Sequence, residues 1–381
     1  MNSVKYLRLH EVASYSDTRI YSSSLSIQNY VGTENLIEGK RGVVESKYLP
    51  EKGQCIEYQK GDTLIGNIRP YLRKIWFAEK TGGSSPDVLT IRPKENIKAK
   101  FLFYSLFRDD FFTHMMKGRK GTKMPRGDRD QVMEFLIPDF SPSEQDRVVS
   151  ILEPIDNLIQ KNMELNNSLE CYLRTCYQYW FLQFEFPNSE GNPFKSSGGD
   201  FKWCPTLKKE IPKYWNTVQL SDLLPVLTGK EDANFASNDG EFNFFTCSED
   251  VYKCDDYAFS GKAVLLAGNG NFNIKLYNGK FNAYQRTYVL IPNDSKFYTN
   301  VYFSIKDRIQ HLTNGSRGSI VKFITKGDIE TIPVALPMKG HENLFEELNS
   351  VLDLIELNLR ENQRLKEVRD YLLPLLMNGQ I

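Results

Sequence analysis

Motifs that would let this chain make or break a bond begin but do not complete. An amino-methyltransferase carries Asn/Asp-Pro-Pro-Tyr/Phe, and the nearest stretch, "GNPF" at 191–194, lacks the second proline. "GNGNFN" (268–273) holds two glycines of G-x-G-x-x-G but puts Asn273 in the third place, which makes a poor cofactor loop. "TGKED" (228–232) pairs Gly229 with Lys230, without the earlier glycine and the following hydroxyl of a phosphate-cradling loop. "EGK" (38–40) offers the carboxylate and lysine of a metal-dependent nuclease, a triplet short enough to arise by chance in a chain this long. His114 and His311 stand near the ends of matching helical runs, where packing accounts for them more simply than base catalysis. The six cysteines (Cys55, Cys171, Cys176, Cys204, Cys247, Cys254) include no C-x-x-C pair, and only four histidines are available as co-ligands. Reduced thiols are expected, and no metal site.

What remains is positive charge carried on glycine. "GRKGT" (118–122) and "GSRGS" (315–319) share the form Gly-x-basic-Gly-hydroxyl, each between an apolar helical run and a strand-like stretch ending in proline. "KGRKGTKMPRGDR" (117–129) sets six basic residues against one acid. Glycine lets backbone amides approach a phosphate closely, and arginine and lysine add counterion release. Candidate phosphate contacts are therefore Arg119, Lys120, Thr122, Lys123 and Arg126, then Lys230, Ser316, Arg317, Ser319 and Lys322. Taken singly, each loop reads as an ordinary solvated turn; duplication at matched places favours the anion-binding reading. Base edges are read by arginine on guanine or by asparagine and glutamine on adenine. "GNIRPYLRK" (66–74) supplies Asn67, Arg69, Arg73 and Lys74, and "GNGNFNIK" (268–275) supplies Asn269, Asn271 and Lys275. "SSPD" (84–87) adds Ser84 and Ser85, and "AYQR" (283–286) adds Tyr284, Gln285 and Arg286. These are also ordinary turn residues, free to drift between copies.

The elements that position them occur twice. Leu9 matches Leu220 at an offset of 211, Gly61 matches Gly261 at 200, and Pro93 matches Pro292 at 199. Gly118 matches Gly315 at 197 and Asn162 matches Asn358 at 196. The offsets drift one way, as a few loop deletions would make them, so the chain reads as two tandem copies of one unit. Each copy opens with strand-like runs ("TLIGNI", "KIWFA", "DVLTIRP"; "AVLLAG", "TYVLIP") and a helix before its basic loop (101–116 and 301–312). Asn278-Gly279 within "IKLYNGKFNA" predicts a hairpin turn.

A long helix closes each copy. In "SPSE" (141–144) Ser141 caps, Pro142 takes the first helical position and Glu144 completes the box. Val148, Ile151, Ile155, Leu158, Asn162, Leu165, Leu169, Leu173, Cys176 and Trp180 then follow at three- and four-residue steps, with Pro154 expected to kink the helix or split off its first turns. The second copy repeats this with Leu344, Leu348, Val351, Ile355, Asn358, Asn362, Leu365 and Leu372. At 1.5 Å per residue each helix runs roughly 50–60 Å. Asn162 and Asn358 are candidates for setting register.

The expected fold is α+β: two mixed α/β modules in tandem, separated by two long antiparallel coiled-coil helices with pseudo-twofold symmetry. Its parts are 1–140, a central helix (141–183), a Pro-, Gly- and Ser-rich linker (184–215), a second module (216–338) and a C-terminal helix (339–381). With 381 residues, two or three domains are the prior, and because copy one begins at the start no further domain is expected. Forty-eight basic residues balance 48 acidic ones, which argues against bulk charge-driven binding and not against a local patch. The N-terminus lacks the order of a signal peptide and no apolar run is long enough to span a membrane, so a cytoplasmic protein without membrane partners is expected. Two modules a fixed distance apart suit duplex DNA, which repeats every ~34 Å.

"GDTLIGNIRPY", "GTKMP", "SPSEQDRVVSIL", "EIPKYWNTVQLSDL", "GSIVKFITKGDIETIPVALP" and "LLPLLMNGQI" resemble, in order, segments of the specificity subunits of Type I restriction–modification enzymes. The resemblance implies two target recognition domains, each reading half of a split double-stranded DNA target, with the two helices acting as a ruler. It implies docking of two modification methyltransferase subunits and of restriction-translocase subunits, and no chemistry in the chain itself. No cofactor is expected on this chain; S-adenosylmethionine, ATP and magnesium would serve the partners. "GTKMPRGDRDQVMEFLIP" departs from the regular Ile-x-x-x-Asp-Ile spacing of copy two, which puts the strand after the first basic loop in doubt. A self-contained metal-dependent endonuclease and a coiled-coil structural protein stand as the alternatives.

Overall fold

Tyr6–Arg8 form a short strand (β1), and Leu9–Val12 (α1) make a single helical turn whose Glu11 carboxylate accepts the Arg8 N–H. The computed structural model describes residues 4–119, 124–237, 239–309, 323–338 and 341–381. Its chain divides into two units: unit 1, Met1–Ile159 with Gln363–Ile381, and unit 2, Gln160–Asn362.

Unit 1 continues with β2 (Ala13–Tyr15), β3 (Arg19–Tyr21), β4 (Tyr30–Val31), β5 (Gln54–Tyr58), β6 (Thr63–Gly66), β7 (Ile75–Phe77), β8 (Gly82–Ser84) and β9 (Val88–Pro93). These form two sheets, ordered β2-β9-β6-β7 and β3-β5-β8-β4. Every residue of β6 is buried, as a strand covered on both faces should be. The helix expected over 101–116 is two, α2 (Ala99–Phe107) and α3 (Asp109–Lys117), because Arg108 takes extended backbone between them. Apolar all round, α2 is buried from Phe101 to Phe107. Asp128 caps α4 (Arg129–Met133) by accepting the Asp130 and Gln131 N–H groups. The strand left in doubt forms as β10 (Leu136–Pro138), antiparallel to β1. Ser141 then starts α5 (Pro142–Tyr177), which runs as one helix through Pro154 rather than splitting there.

Unit 2 takes in the rest of α5 from Gln160, and the segment 184–215, expected to be a linker, carries secondary structure. β11 (Phe201–Cys204) pairs antiparallel with β12 (Lys209–Pro212), while Phe184 and Phe186 pack on the fully buried Trp215. The first unit's order then repeats. β13 (Trp215–Gln219) leads into α6 (Leu220–Leu223), whose Asp222 accepts the Gln219 N–H as Glu11 does in α1. β14 (Val226–Thr228), β15 (Phe242–Phe245), β16 (Val251–Cys254), β17 (Phe259–Ala267), β18 (Ile274–Ala283) and β19 (Thr287–Leu290) form one sheet, ordered β14-β19-β17-β18-β15-β16. The run β14-β19-β17-β18 repeats β2-β9-β6-β7, and the parallel pair β15–β18 repeats β4–β8. After α7 (Tyr298–Lys306) and α8 (Lys326–Glu330), β20 (Pro333–Pro337) returns to β13 as β10 does to β1. α9 (Glu342–Met377) closes the chain.

Asn278-Gly279 makes no turn. β18 runs straight through it beside β17, with Gly279 opposite Gly261. The Asn278 N–H donates to Glu356 of α9 and its carbonyl accepts from Arg360, so tertiary contacts override the local turn preference.

In each unit α5 and α9 pack antiparallel. Within unit 2 Asn162 pairs with Asn362 (3.0 Å) and Asn358 with Asn166 (2.8 Å), all four buried. Leu169, Leu173, Leu348 and Ile355 pack in the same core. In unit 1 Ile155 and Leu365 are half-buried, and Leu372, Leu373 and Met377 of α9 pack on Val148 and Leu152. Leu158 and Leu165, expected on the seam, are exposed, since Ile159 and Asn166 take the buried positions beside them. Unit 1 also holds a buried ionic node. Arg369 donates to Asp156 (2.9 Å), lies over the Phe107 ring, and Asp156 accepts the Tyr104 hydroxyl (2.8 Å). The equivalent positions in unit 2, at the 196 offset, are the fully buried Leu173 and Leu352.

Removing one partner of such a node strands the other charge, whereas an apolar pair of similar size is tolerated. Arg369→Ala should cost unit 1 about 3 kcal/mol in denaturant unfolding, and the pair Asp156→Leu/Arg369→Leu less than about 1 kcal/mol. Equal losses would contradict this.

Candidate nucleic-acid interface

One backbone junction is built in both units, just past the end of β6 and of β17. In unit 1 the Asn67 N–H donates to the Asp87 carbonyl (3.0 Å), the Gly127 N–H donates to the Asn67 carbonyl (3.2 Å), and Ile68 bridges Arg126. In unit 2 the Gly268 N–H donates to the Arg286 carbonyl (2.8 Å), the Ile324 N–H donates to the Gly268 carbonyl (3.0 Å), and Asn269 bridges Phe323. These bonds equate Asn67 with Gly268, Asp87 with Arg286, Arg126 with Phe323 and Gly127 with Ile324. The junction is where the chain returns from each basic loop.

Around the unit 1 junction, basic residues sit in costly backbone. Arg69 (φ 53°) and Arg73 (φ 49°) flank the turn Pro70–Leu72 in the left-handed region, and Lys40 (φ 61°) donates its N–H to the Arg73 carbonyl. Such conformations cost of order 1–3 kcal/mol each and persist where the surroundings enforce them. The Arg69 N–H is fixed on the Pro125 carbonyl (2.8 Å) while its exposed side chain has no partner among the described residues. Arg73 and Lys40 both pair with Asp109 (3.0 and 2.7 Å). Burial works to raise the Asp109 pKa, but the two cations carry it below the ordinary carboxylate value. The lysine of "EGK" is thereby spent on a neighbouring ion pair. Arg126 is exposed and pairs with Asp87 (3.1 Å). Arg119 is exposed and Ser85 is half-buried, its hydroxyl accepting the Asp87 N–H.

In unit 2 a cavity of about 470 Å³ opens at the junction. It is lined by Thr228, Asn269, Gln285, Arg286, Tyr288 and Phe323, so it gathers three expected site residues. Gln285 donates to Asp232 (2.8 Å), and Arg286 is exposed. Tyr284 is half-buried and Lys230 exposed. Asn271 donates to Glu249 (3.1 Å).

Three expected contacts are structural instead. Ser84 is fully buried on Thr90 (2.9 Å). The ammoniums of Lys74 and Lys275, equivalent at offset 201, turn inward onto backbone carbonyls, of Thr33 for Lys74 and of Thr246 and Ser248 for Lys275. Burial lowers the pKa of both, that of Lys275 to about 8. Asn67 is likewise buried, its Oδ1 without a partner among the described residues. Lys120, Thr122, Lys123, Ser316, Arg317, Ser319, Lys322 and His311 lie outside the described residues. The sequence reading missed Asp87, Thr228, Tyr288 and Phe323; the 199 offset of Pro93 and Pro292 also sets "SSPD" against "AYQR", which puts Asp87 opposite Arg286. Among the described residues no three His, Cys, Asp or Glu side chains are grouped to hold a metal ion, and no helix is long and apolar enough to cross a membrane.

Residues 212–367 match the family model described as Type I restriction modification DNA specificity domain. The Type I restriction enzyme EcoDI specificity subunit of Escherichia coli is 44% identical over 177 residues, 45% of this chain and 40% of that protein. The Type I restriction enzyme MjaIX specificity subunit of Methanocaldococcus jannaschii is 23% identical over 370 residues, 90% of this chain and 82% of that one. The crystal structure of the S subunit of a Type-I restriction-modification system from M. genitalium shares the fold: TM-score 0.56 at 14% identity, over 99% of this chain and 97% of that one.

Lys275 gives a pH dependence that can be measured. Its pKa is about 8 in the folded protein and roughly 10.4 when unfolded, so between these values the unfolded chain holds more protons and stability rises with pH. The stability of the wild type relative to Lys275→Met should therefore increase from about pH 8 to about pH 9.5 in denaturant titrations. A flat or falling difference would show that the ammonium is not held against its desolvation.

Proposed function

We propose that this chain, which belongs to the specificity-subunit family of type I restriction–modification systems, reads a split duplex DNA target with one half-site per unit and brings methyltransferase and restriction subunits to it. The observation that carries this reading is the junction itself. One hydrogen-bonded frame occurs twice with different side chains on it, as expected of two modules that share a docking geometry and differ in sequence preference. The chain is the recognition component and leaves bond-making to its partners. S-adenosylmethionine, ATP and magnesium are accordingly requirements of those partners.

The long helices support partner docking. Leu158, Leu165 and Tyr172 of α5, and Tyr179 just past its end, are exposed at seven-residue steps. Leu158 and Met163 have exposed equivalents in α9, Leu354 and Leu359, at the 196 offset. Apolar side chains at that spacing on an outer face suit a partner helix. The match extends to Tyr172 and the exposed Val368 but not to Leu165, whose counterpart is Glu361; two such faces suit two methyltransferase subunits.

Mapping methylated adenines in cells with and without this chain tests the reading. Methylation at one bipartite motif should appear only with the chain; a pattern indifferent to it would contradict the proposal. Arg69→Ala with Arg119→Ala should weaken binding to all duplexes alike and flatten the plot of log affinity against log salt by about 1–2. An unchanged slope would remove these residues from the phosphate contacts.

A further inference from the structure

We propose that the duplicated junction is where each unit reads a base pair, and that the two units read it with inverted side-chain chemistry. Unit 1 uses Arg126 buttressed by Asp87, and unit 2 uses Arg286 beside an aromatic wall of Phe323 and Tyr288. This rests on the DNA-recognition reading above and adds the positions and the classes of base.

The equivalences come from hydrogen bonds, not from alignment. Asp87 and Arg286 each accept the N–H of the residue equated across the junction, and Arg126 and Phe323 each form the bridge beside it. At the first pair of positions the charge reverses sign between units; at the second, a cation becomes an aromatic ring.

In unit 1 the Arg126–Asp87 pair (3.1 Å) holds one arm of an exposed guanidinium, whose other N–H groups have no partner among the described residues. An arginine fixed in this way loses less side-chain entropy on binding and presents donors matched to guanine O6 and N7. The junction behind it is filled, because a Cβ at Gly127 would lie 2.8 Å from Asn67 Oδ1. In unit 2 glycine replaces Asn67, and the cavity of about 470 Å³ opens there. Gly268 cannot carry a side chain, since a Cβ would meet the Arg286 carbonyl at 2.8 Å and the Tyr288 ring at 3.0 Å. Tyr288 is fixed by donating its hydroxyl to the Ile324 carbonyl (2.8 Å). Phe323 is exposed on this wall, and Arg286 has no side-chain partner among the described residues. An apolar wall takes a thymine methyl and a free guanidinium takes guanine. The unit 1 half-site therefore contains a G·C pair at this place, and the unit 2 half-site a thymine next to a guanine.

The test maps methylated motifs made by the full chain with its methyltransferase subunits. Arg126→Ala and Arg126→Lys should each relax the G·C preference at one position of one half-site by roughly 10-fold or more. Lysine keeps the charge and loses the fork, so equal relaxation by both variants separates base reading from bulk electrostatics. Arg286→Ala with Phe323→Ala should relax the other half-site alone. The untouched half-site and the gap report that each variant is folded. Both half-sites unchanged, or both blurred together, would overturn the proposal. So would loss of all methylation in Arg126→Lys and Phe323→Leu as well as in the alanine variants. Wild-type methylation that ignores this chain would instead fault the recognition reading.

Discussion

Four buried asparagines set the register of the two long helices. Asn162 with Asn362 and Asn166 with Asn358 form two amide pairs within unit 2. The offset of 196 carries Asn162 onto Asn358 and Asn166 onto Asn362, so exchanging the copies maps each pair onto the other. A four-residue slip would keep one asparagine pair (Asn162 with Asn358, or Asn166 with Asn362) and take the other two amides from their partners, at about 1–3 kcal/mol each. The node is thus a local pseudo-twofold element, and it fixes which residues of α5 meet which of α9. Arg369 and Asp156 break that symmetry in unit 1, where the equivalents in unit 2 are leucines. The two copies are therefore not interchangeable: an α5 facing a second α5 would put Asp156 where Leu173 is its partner.

Both units spend most of their sequence on a shared frame and vary a few side chains on it. The capped turns α1 and α6, the β1–β10 and β13–β20 pairs, and the central strand order are common to the two. Even the inward-turned lysines, Lys74 and Lys275, are duplicated, and each ties its sheet to the loop following β4 or β15. Against that constancy, Asp87/Arg286 and Arg126/Phe323 change charge and polarity. Constancy of backbone with turnover of side chains is what a recognition module requires, because phosphate contacts set orientation while base-edge contacts set preference.

The duplication was legible because both copies kept their punctuation: Gly61 and Gly261, the proline-terminated strands, and Asn162 with Asn358. The seam of α9 was legible except at Val351 and Leu372, where Leu352 and Leu373 take the buried positions. That of α5 drifted by one residue at Leu158 and Leu165, because the same three- and four-residue steps also run through Ile159 and Asn166. Asn362 was on the seam of copy two, and its equivalent in copy one is Asn166, so the repeat itself held the correction. The hairpin at Asn278-Gly279 failed for a different reason, since Glu356 and Arg360, some 80 positions away, engage its backbone. The segment 184–215 reads as a linker by composition, yet the buried rings of Phe184, Phe186 and Trp215 anchor it. Among the site residues, arginines were easy to nominate; that Lys74, Lys275 and Ser84 face inward depends on sheet geometry that no local pattern encodes.

On the proposed reading, the paired helices act as the ruler that spaces the two half-sites. Shortening both by seven residues, between Ile155 and Leu173 and at the matching place in α9, removes ~10 Å of each helix. The unread gap in the methylated motif should then shrink by up to about three base pairs while both half-sites keep their sequences. A motif with its gap unchanged and its half-sites altered would contradict the claim.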